Sequence, residues 1–176
     1  MMRASAYAVP KSVVAGAVFA LLAVMFGFVL GGLFGTMEHK LKDSLSDSGR
    51  AVLETVYQND VQRMDAVVKK SWSYMIRAHI HGGVLGAVAL GSISIMILIT
   101  NLGIAARLSS LALGIGSLAY SVMWLCAGLR APELGSTGVA KQSVEALAIV
   151  GAGLCILGLL GTFLTVVTRL FSKTKK

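Results

Sequence analysis

Four long stretches of this chain contain no charged side chain, and they limit its possible folds more than any other feature. Each is longer than the roughly 20 residues with which an α-helix crosses about 30 Å of hydrocarbon. Of the 176 residues, 56% are hydrophobic and only 14% are charged, so few polar side chains remain to cover these stretches in water. The stretches are Ser12–Met37, Ala78–Ala106, Leu108–Leu129 and Ala146–Thr168.

The sequence therefore predicts an all-α, polytopic integral membrane protein with four transmembrane helices in a single domain, 1–176. Because each uncharged stretch supplies one helix, we expect a four-helix bundle. The expected spans cover about 12–36, 77–100, 104–129 and 144–168.

The polar segment 37–76 has helical periodicity rather than the composition of a disordered linker. Apolar residues recur at three-, four- and seven-residue steps on either side of the turn-forming sequence "QND". We expect a helical hairpin that extends outside the membrane between the first and second spans. Its apolar stripe consists of Leu41, Leu45, Val52 and Val56, followed by Val61, Met64, Val68 and Trp72.

The distribution of charge predicts the orientation in the membrane. With four spans both termini lie on one side, and that side has seven basic and no acidic residues, whereas the other side has all eight acidic residues. Short basic segments next to spans face the cytoplasm, so we expect both termini in the cytoplasm and a bacterial-type inner (plasma) membrane. In the basic tail, 169–176, four cationic residues are expected to hold lipid headgroups: Arg169, Lys173, Lys175 and Lys176.

Small residues four positions apart in the first two spans predict close packing, because such residues let membrane helices approach backbone to backbone. The first span has Gly27, Gly31 and Gly35, and the second has Gly83, Ala87 and Gly91. The alternative is that these residues contact other helices or another subunit. An antiparallel register would pair Gly27 with Gly91, Gly31 with Ala87, Gly35 with Gly83, and His39 with His79.

The three histidines allow three interpretations. His79 and His81 are about 200° apart on a helix, so they cannot chelate one ion together. All three could be interfacial side chains that bind water, headgroups or backbone. Alternatively, His39 and His79 could hold a divalent transition metal with Glu38, or they could be axial ligands of haem b, with Arg77 beside a propionate.

The chain contains no GxxxxGK[ST], HExxH, GxSxG, GxGxxG or CxxC motif. We therefore expect that the protein is not an enzyme. The net charge of +8 comes without interleaved aromatic and basic residues, which argues against nucleic acid. We expect a small non-catalytic membrane protein, in contact with lipids, that self-associates or is an accessory or structural subunit of a membrane complex. The alternatives are a haem- or metal-binding redox subunit and a passive oligomeric pore.

Overall fold

The computed structural model describes residues 8–99 and 101–173, which form six helices joined by short connections. Four of them, the first, third, fourth and sixth, are long and apolar enough to cross a membrane, as the uncharged stretches predict. The helices are α1 (Lys11–Ala51), α2 (Leu53–Tyr57), α3 (Val61–Ile99), α4 (Ile104–Arg130), α5 (Thr137–Gln142) and α6 (Glu145–Lys173).

Helices α1 and α3 are much longer than the spans predicted within them. Helix α1 continues for 41 residues, with one kink at Met37, where the uncharged stretch ends. Helix α3 continues for 39 residues. Residues 38–51 and 61–76 therefore prolong the two long helices, and α2 is the short helix between them.

The turn between α2 and α3 follows from its sequence. Gln58 and Asn59 both have positive φ angles, 55° and 67°, which asparagine tolerates better than most residues. The side chain of Asp60 then accepts a hydrogen bond from the backbone N–H of Arg63 at 2.9 Å, as an N-cap residue does. This chemistry ends α2 and starts α3.

Helix α4 lies at the centre of the bundle, because it packs against α1, α3 and α6, whereas α6 packs mainly on α4. The helices meet at small residues. Gly16 of α1 lies against the backbone of α4 at Ser110, and a Cβ atom on Gly116 of α4 would come within 2.9 Å of the carbonyl oxygen of Gly151 in α6. Such sites allow close packing in a setting where lipid supplies no hydrophobic drive.

The end of the α1–α3 pair rests on the connection between α4 and α5. The side chain of Tyr57 is fully buried, and its hydroxyl donates a hydrogen bond to the carbonyl oxygen of Pro132 at 2.6 Å. Ser71 of α3 also donates to the carbonyl oxygen of Gly128 in α4. The polar ends of α1 and α3 are thus tied to the rest of the bundle.

Candidate functional site

His79 of α3 lies in the interface with α1. Its Nδ1 atom is 2.7 Å from the carbonyl oxygen of Gly27, and because a carbonyl can only accept, Nδ1 donates. The imidazole occupies the space that Gly31 leaves open, since a Cβ atom on Gly31 would lie 2.6 Å from Cε1 of the ring. The ring also meets Phe34 edge-on, with centroids 6.2 Å apart. His79 thus joins the two helices.

The expected pairing of His39 with His79 does not occur. His39 is exposed and lies eight residues beyond Gly31, which corresponds to about 12 Å along the helix axis. His79 lies opposite Gly27 and Gly31 of α1 instead, because these two glycines leave the volume that its imidazole needs.

The third residue proposed for a metal site, Glu38, is engaged elsewhere. It forms an exposed ion pair with Lys42, one helical turn away. The hydrogen bond and charge of Lys42 hold the pKa of the Glu38 carboxyl below its usual value. Within residues 8–99 and 101–173, no group of three or more His, Cys, Asp or Glu side chains is placed to hold a metal ion.

The register of α1 and α3 differs from the one that the small-residue spacing favoured. A Cβ atom on Gly82 would lie 2.9 Å from both the Ala23 carbonyl oxygen and the Gly27 nitrogen. Gly27 therefore lies opposite Gly82, about two and a half turns from Gly91. The residues of α3 that face α1, which we call the inward ladder, are Gly82, Gly86 and Ala89.

The three residues predicted to face α1 form a second ladder. Their Cβ positions point away from the other described helices, although the backbone nitrogen of Gly83 still borders Gly27 of α1. Cβ atoms on Gly83 and Gly91 would have nothing within 4 Å, and Ala87 is exposed. We call Gly83, Ala87 and Gly91 the outward ladder. On α1, Gly35 likewise faces open space. Spacing alone could not decide between the ladders, because Gly82 and Gly86 are also four residues apart.

Arg77, which the haem hypothesis assigned to a propionate, stacks on aromatic rings. Its guanidinium carbon is 5.4 Å from the ring centroid of Tyr74 and 4.9 Å from that of Trp124, distances typical of cation–π contacts. The ring of His81 lies 5.3 Å from that of Tyr120. These five side chains form an aromatic cluster that joins α3 to α4.

Sequence reasoning missed this aromatic cluster, because its members come from two parts of the chain about 40 residues apart. The one available signal was the helical spacing of Tyr74, Arg77 and His81, which places them on one side of α3. The indole nitrogen of Trp124 is buried and has no hydrogen-bond acceptor in the described part of the chain.

Of the four residues predicted to hold lipid headgroups, Arg169 and Lys173 lie at the opposite end of the bundle. Arg169 donates from Nη2 to the side-chain oxygen of Asn101 at 3.3 Å. Lys173 is the last residue of α6, and nothing is described of its side chain. Lys175 and Lys176 lie outside the described residues.

No protein-family model, no curated protein and no solved structure matches this chain.

Proposed function

We propose that this chain is a multi-pass membrane protein that crosses the bilayer through α1, α3, α4 and α6, and that it acts without catalysis by self-association. Its large apolar side chains support the membrane setting, because many of them point away from the bundle. Phe28 is 75% exposed, Leu98 is 81% exposed and Phe163 is 63% exposed. Apolar surface of this extent requires lipid or protein against it.

The outward ladder is the observation that carries the proposal of self-association. Glycine and alanine four residues apart are the residues through which membrane helices approach each other most closely. Among the described residues, the outward faces of Gly83 and Gly91 meet no other helix and Ala87 is exposed, even though the backbone nitrogen of Gly83 borders Gly27. Two copies of α3 can meet there in an isologous contact, in which the same face of each copy pairs with itself.

The haem and metal alternatives are not part of the proposal. They required His39 to face His79, whereas His79 is bonded to Gly27. An accessory role in a larger complex would use the same outward ladder with a different partner protein, and the experiment below separates the two.

The test compares two glycines at which a larger side chain meets open space. A Cβ atom on Gly91 of α3 or on Gly153 of α6 has no neighbour within 4 Å, so leucine at either position should leave the fold intact. We expect Gly91→Leu to lower the association constant about tenfold, because the loss of one contact of about 1.4 kcal/mol has that effect. The constant is obtained from energy transfer between labelled copies in bilayers. Gly153→Leu should leave the transfer unchanged.

Two outcomes would contradict self-association through α3. One is a monomer at every protein density. The other is an oligomer that Gly91→Leu does not weaken. Crosslinking of the outward ladder to a different protein, with no contact between copies, would favour the accessory role instead.

The proposed orientation places both termini in the cytoplasm and residues 38–76 and 130–145 outside. Charge supports it, since all eight acidic residues fall between positions 38 and 145. In a chain whose two cysteines are replaced by alanine, we expect Ser48→Cys to react with an impermeant maleimide from outside intact cells. Ser172→Cys should react only after lysis. Labelling of Ser172→Cys from outside would invert the topology, and equal labelling of both would contradict four spans.

A further inference from the structure

Where α4 begins and α6 ends, a cavity of about 330 Å³ opens to the surface, and several of its lining residues are polar. Arg169 lies in its wall, and the Nε–H group of this side chain is buried without an acceptor among the residues that the structure describes. A partly buried guanidinium with a donor left over is costly, because it loses water without gaining a full set of partners. The described lining residues are Asn101, Gly103, Thr165, Thr168, Arg169 and Ser172.

The protein has no side-chain carboxylate near this cavity with which to neutralise Arg169. Its eight acidic residues occur at 38–65 and 133–145, and all of these belong to the opposite end of α1, α3, α4 and α6. At the Arg169 end the described charged residues are all basic: Lys11, Arg107, Arg169 and Lys173. No side chain that the structure describes at this end supplies a counter-ion for Arg169, so an external anion would be favoured there.

The start of α4 adds donors to the same cavity. Gly103, in the cavity wall, is the N-cap residue of α4, and no side chain caps this end. The first N–H groups of a helix have no intrahelical acceptor, and they favour an anion. The start of α4 and the cation of Arg169 thus both favour an anionic group such as a phosphate in this cavity.

The hydroxyl groups in the wall favour a phosphate-containing group that also carries hydrogen-bond donors. Thr165 donates to the Gly161 carbonyl oxygen at 2.6 Å, and Thr168 donates to that of Leu164 at 2.8 Å. Since each hydroxyl hydrogen is used within α6, the hydroxyl oxygens are left to accept hydrogen bonds. A bound group should therefore combine an anionic phosphate with hydrogen-bond donors.

We infer that this cavity binds the headgroup of one anionic phospholipid, with the phosphate at Arg169 and the first turn of α4, and with headgroup hydroxyls at Thr165 and Thr168. This inference rests on the proposed placement of the bundle in a membrane, which brings the cavity to the level of the headgroups. Phosphatidylglycerol has the required chemistry. Phosphatidylcholine lacks the donors, because its ammonium group is fully methylated.

The test is native mass spectrometry of the full chain in detergent micelles, titrated with phosphatidylglycerol to obtain the dissociation constant of the first lipid. We expect Arg169→Gln to raise that constant about tenfold or more, since hydrogen bonds to charged groups are worth at least that factor. Arg107→Gln is the matched control. It removes one charge at the same end, but the Nε–H of Arg107 is already bonded to the Leu102 carbonyl oxygen at 2.9 Å, so we expect a change of less than about twofold.

Two further titrations complete the design. Arg169→Lys keeps the charge but lacks the forked donors, so its constant should fall between those of the wild type and Arg169→Gln, and it serves if the glutamine variant does not fold. Phosphatidylcholine should bind about tenfold more weakly than phosphatidylglycerol, as expected when the hydrogen bonds from headgroup hydroxyls to Thr165 and Thr168 are lost. Inorganic phosphate should not displace the lipid.

Three results would overturn the inference: an unchanged constant in both Arg169 variants, an equal loss in Arg107→Gln, or inorganic phosphate that binds as tightly as the lipid. The third would indicate a site for free phosphate. Failure of self-association is a separate result, because a monomer that loses lipid binding in Arg169→Gln would contradict the oligomer and support the lipid site. An oligomer whose lipid binding is unchanged in both Arg169 variants would support self-association and contradict the lipid site.

Discussion

Two neighbouring glycines of α3 allow the packing of the bundle to be tested with a single methyl group. A Cβ atom on Gly82 would lie 2.9 Å from the Ala23 carbonyl oxygen and 3.0 Å from the Gly27 Cα atom, whereas a Cβ atom on Gly83 would have no neighbour within 4 Å. The three atoms nearest to that Cβ position belong to the backbone of α1, so no side-chain rotation can move them away. In Gly82→Ala, α1 and α3 must separate by about 0.5 Å to restore ordinary contact.

The expected magnitude follows from comparing the two substitutions. Each gains about 1 kcal/mol of helix propensity, and this gain cancels because both positions lie within the same helix. What remains is the strain of overpacking at Gly82, about 1–3 kcal/mol. We therefore expect Gly83→Ala to leave the protein as stable as the wild type or slightly more stable, and Gly82→Ala to lie about 1–3 kcal/mol below Gly83→Ala.

The assay is equilibrium unfolding in mixed micelles, followed by circular dichroism at protein concentrations low enough to keep the chain monomeric. Alanine remains small enough for a helix–helix contact, so Gly83→Ala should also leave the association of α3 intact. Equal stabilities for the two variants, or a less stable Gly83→Ala, would refute the register of α1 and α3 described above.

Three further predictions concern contacts between helices. His79→Phe keeps a ring in place but loses the bond to Gly27, and we expect a loss of about 1 kcal/mol in unfolding free energy; an unchanged thermal midpoint would contradict this. Tyr57→Phe should lose about 1 kcal/mol, and burial raises the pKa of Tyr57, so its contribution should be complete below pH about 10 and lost as pH rises through the raised pKa. A phenolate titration at or below pH 10 would oppose that account. Gly135 has φ +65° and lies against Val56, so Gly135→Ala should destabilise the α4–α5 turn by about 1 kcal/mol or more, measured as faster proteolysis there.

The four long apolar helices could be predicted from the sequence. A helix that spans a bilayer needs a long run of uncharged residues, and this run is visible in the sequence however the helices pack. The continuity of α1 and α3 was harder to see. The polar composition of 38–76 indicates where the chain leaves an apolar environment, but it does not indicate whether the helix ends there. Only a kink at Met37 marks the change in α1.

The register of α1 and α3 could not be predicted, because α3 has two sets of small residues four apart. Gly82 and Gly86 compete with Gly83 and Ala87 for the same partner, and the choice depends on where larger side chains fit. His79 needs the space beside Gly31, and Phe34 packs 5.0 Å from Trp72. This fit depends on the shapes of both helix surfaces in three dimensions, which the spacing of residues in one helix does not give. The aromatic cluster could not be predicted for the same reason.

Disulfide crosslinking at Ala87 tests the central claim, self-association through the outward ladder, most directly. In a chain whose native cysteines are replaced, Ala87→Cys in native membranes should form a dimer on mild oxidation, because the account brings the two copies of this residue together. Leu157→Cys is the control, since Leu157 of α6 is 65% exposed and lies on a helix outside the proposed contact. A dimer from Ala87→Cys and none from Leu157→Cys is the predicted result. Equal crosslinking at both positions, or none at Ala87, would contradict the account.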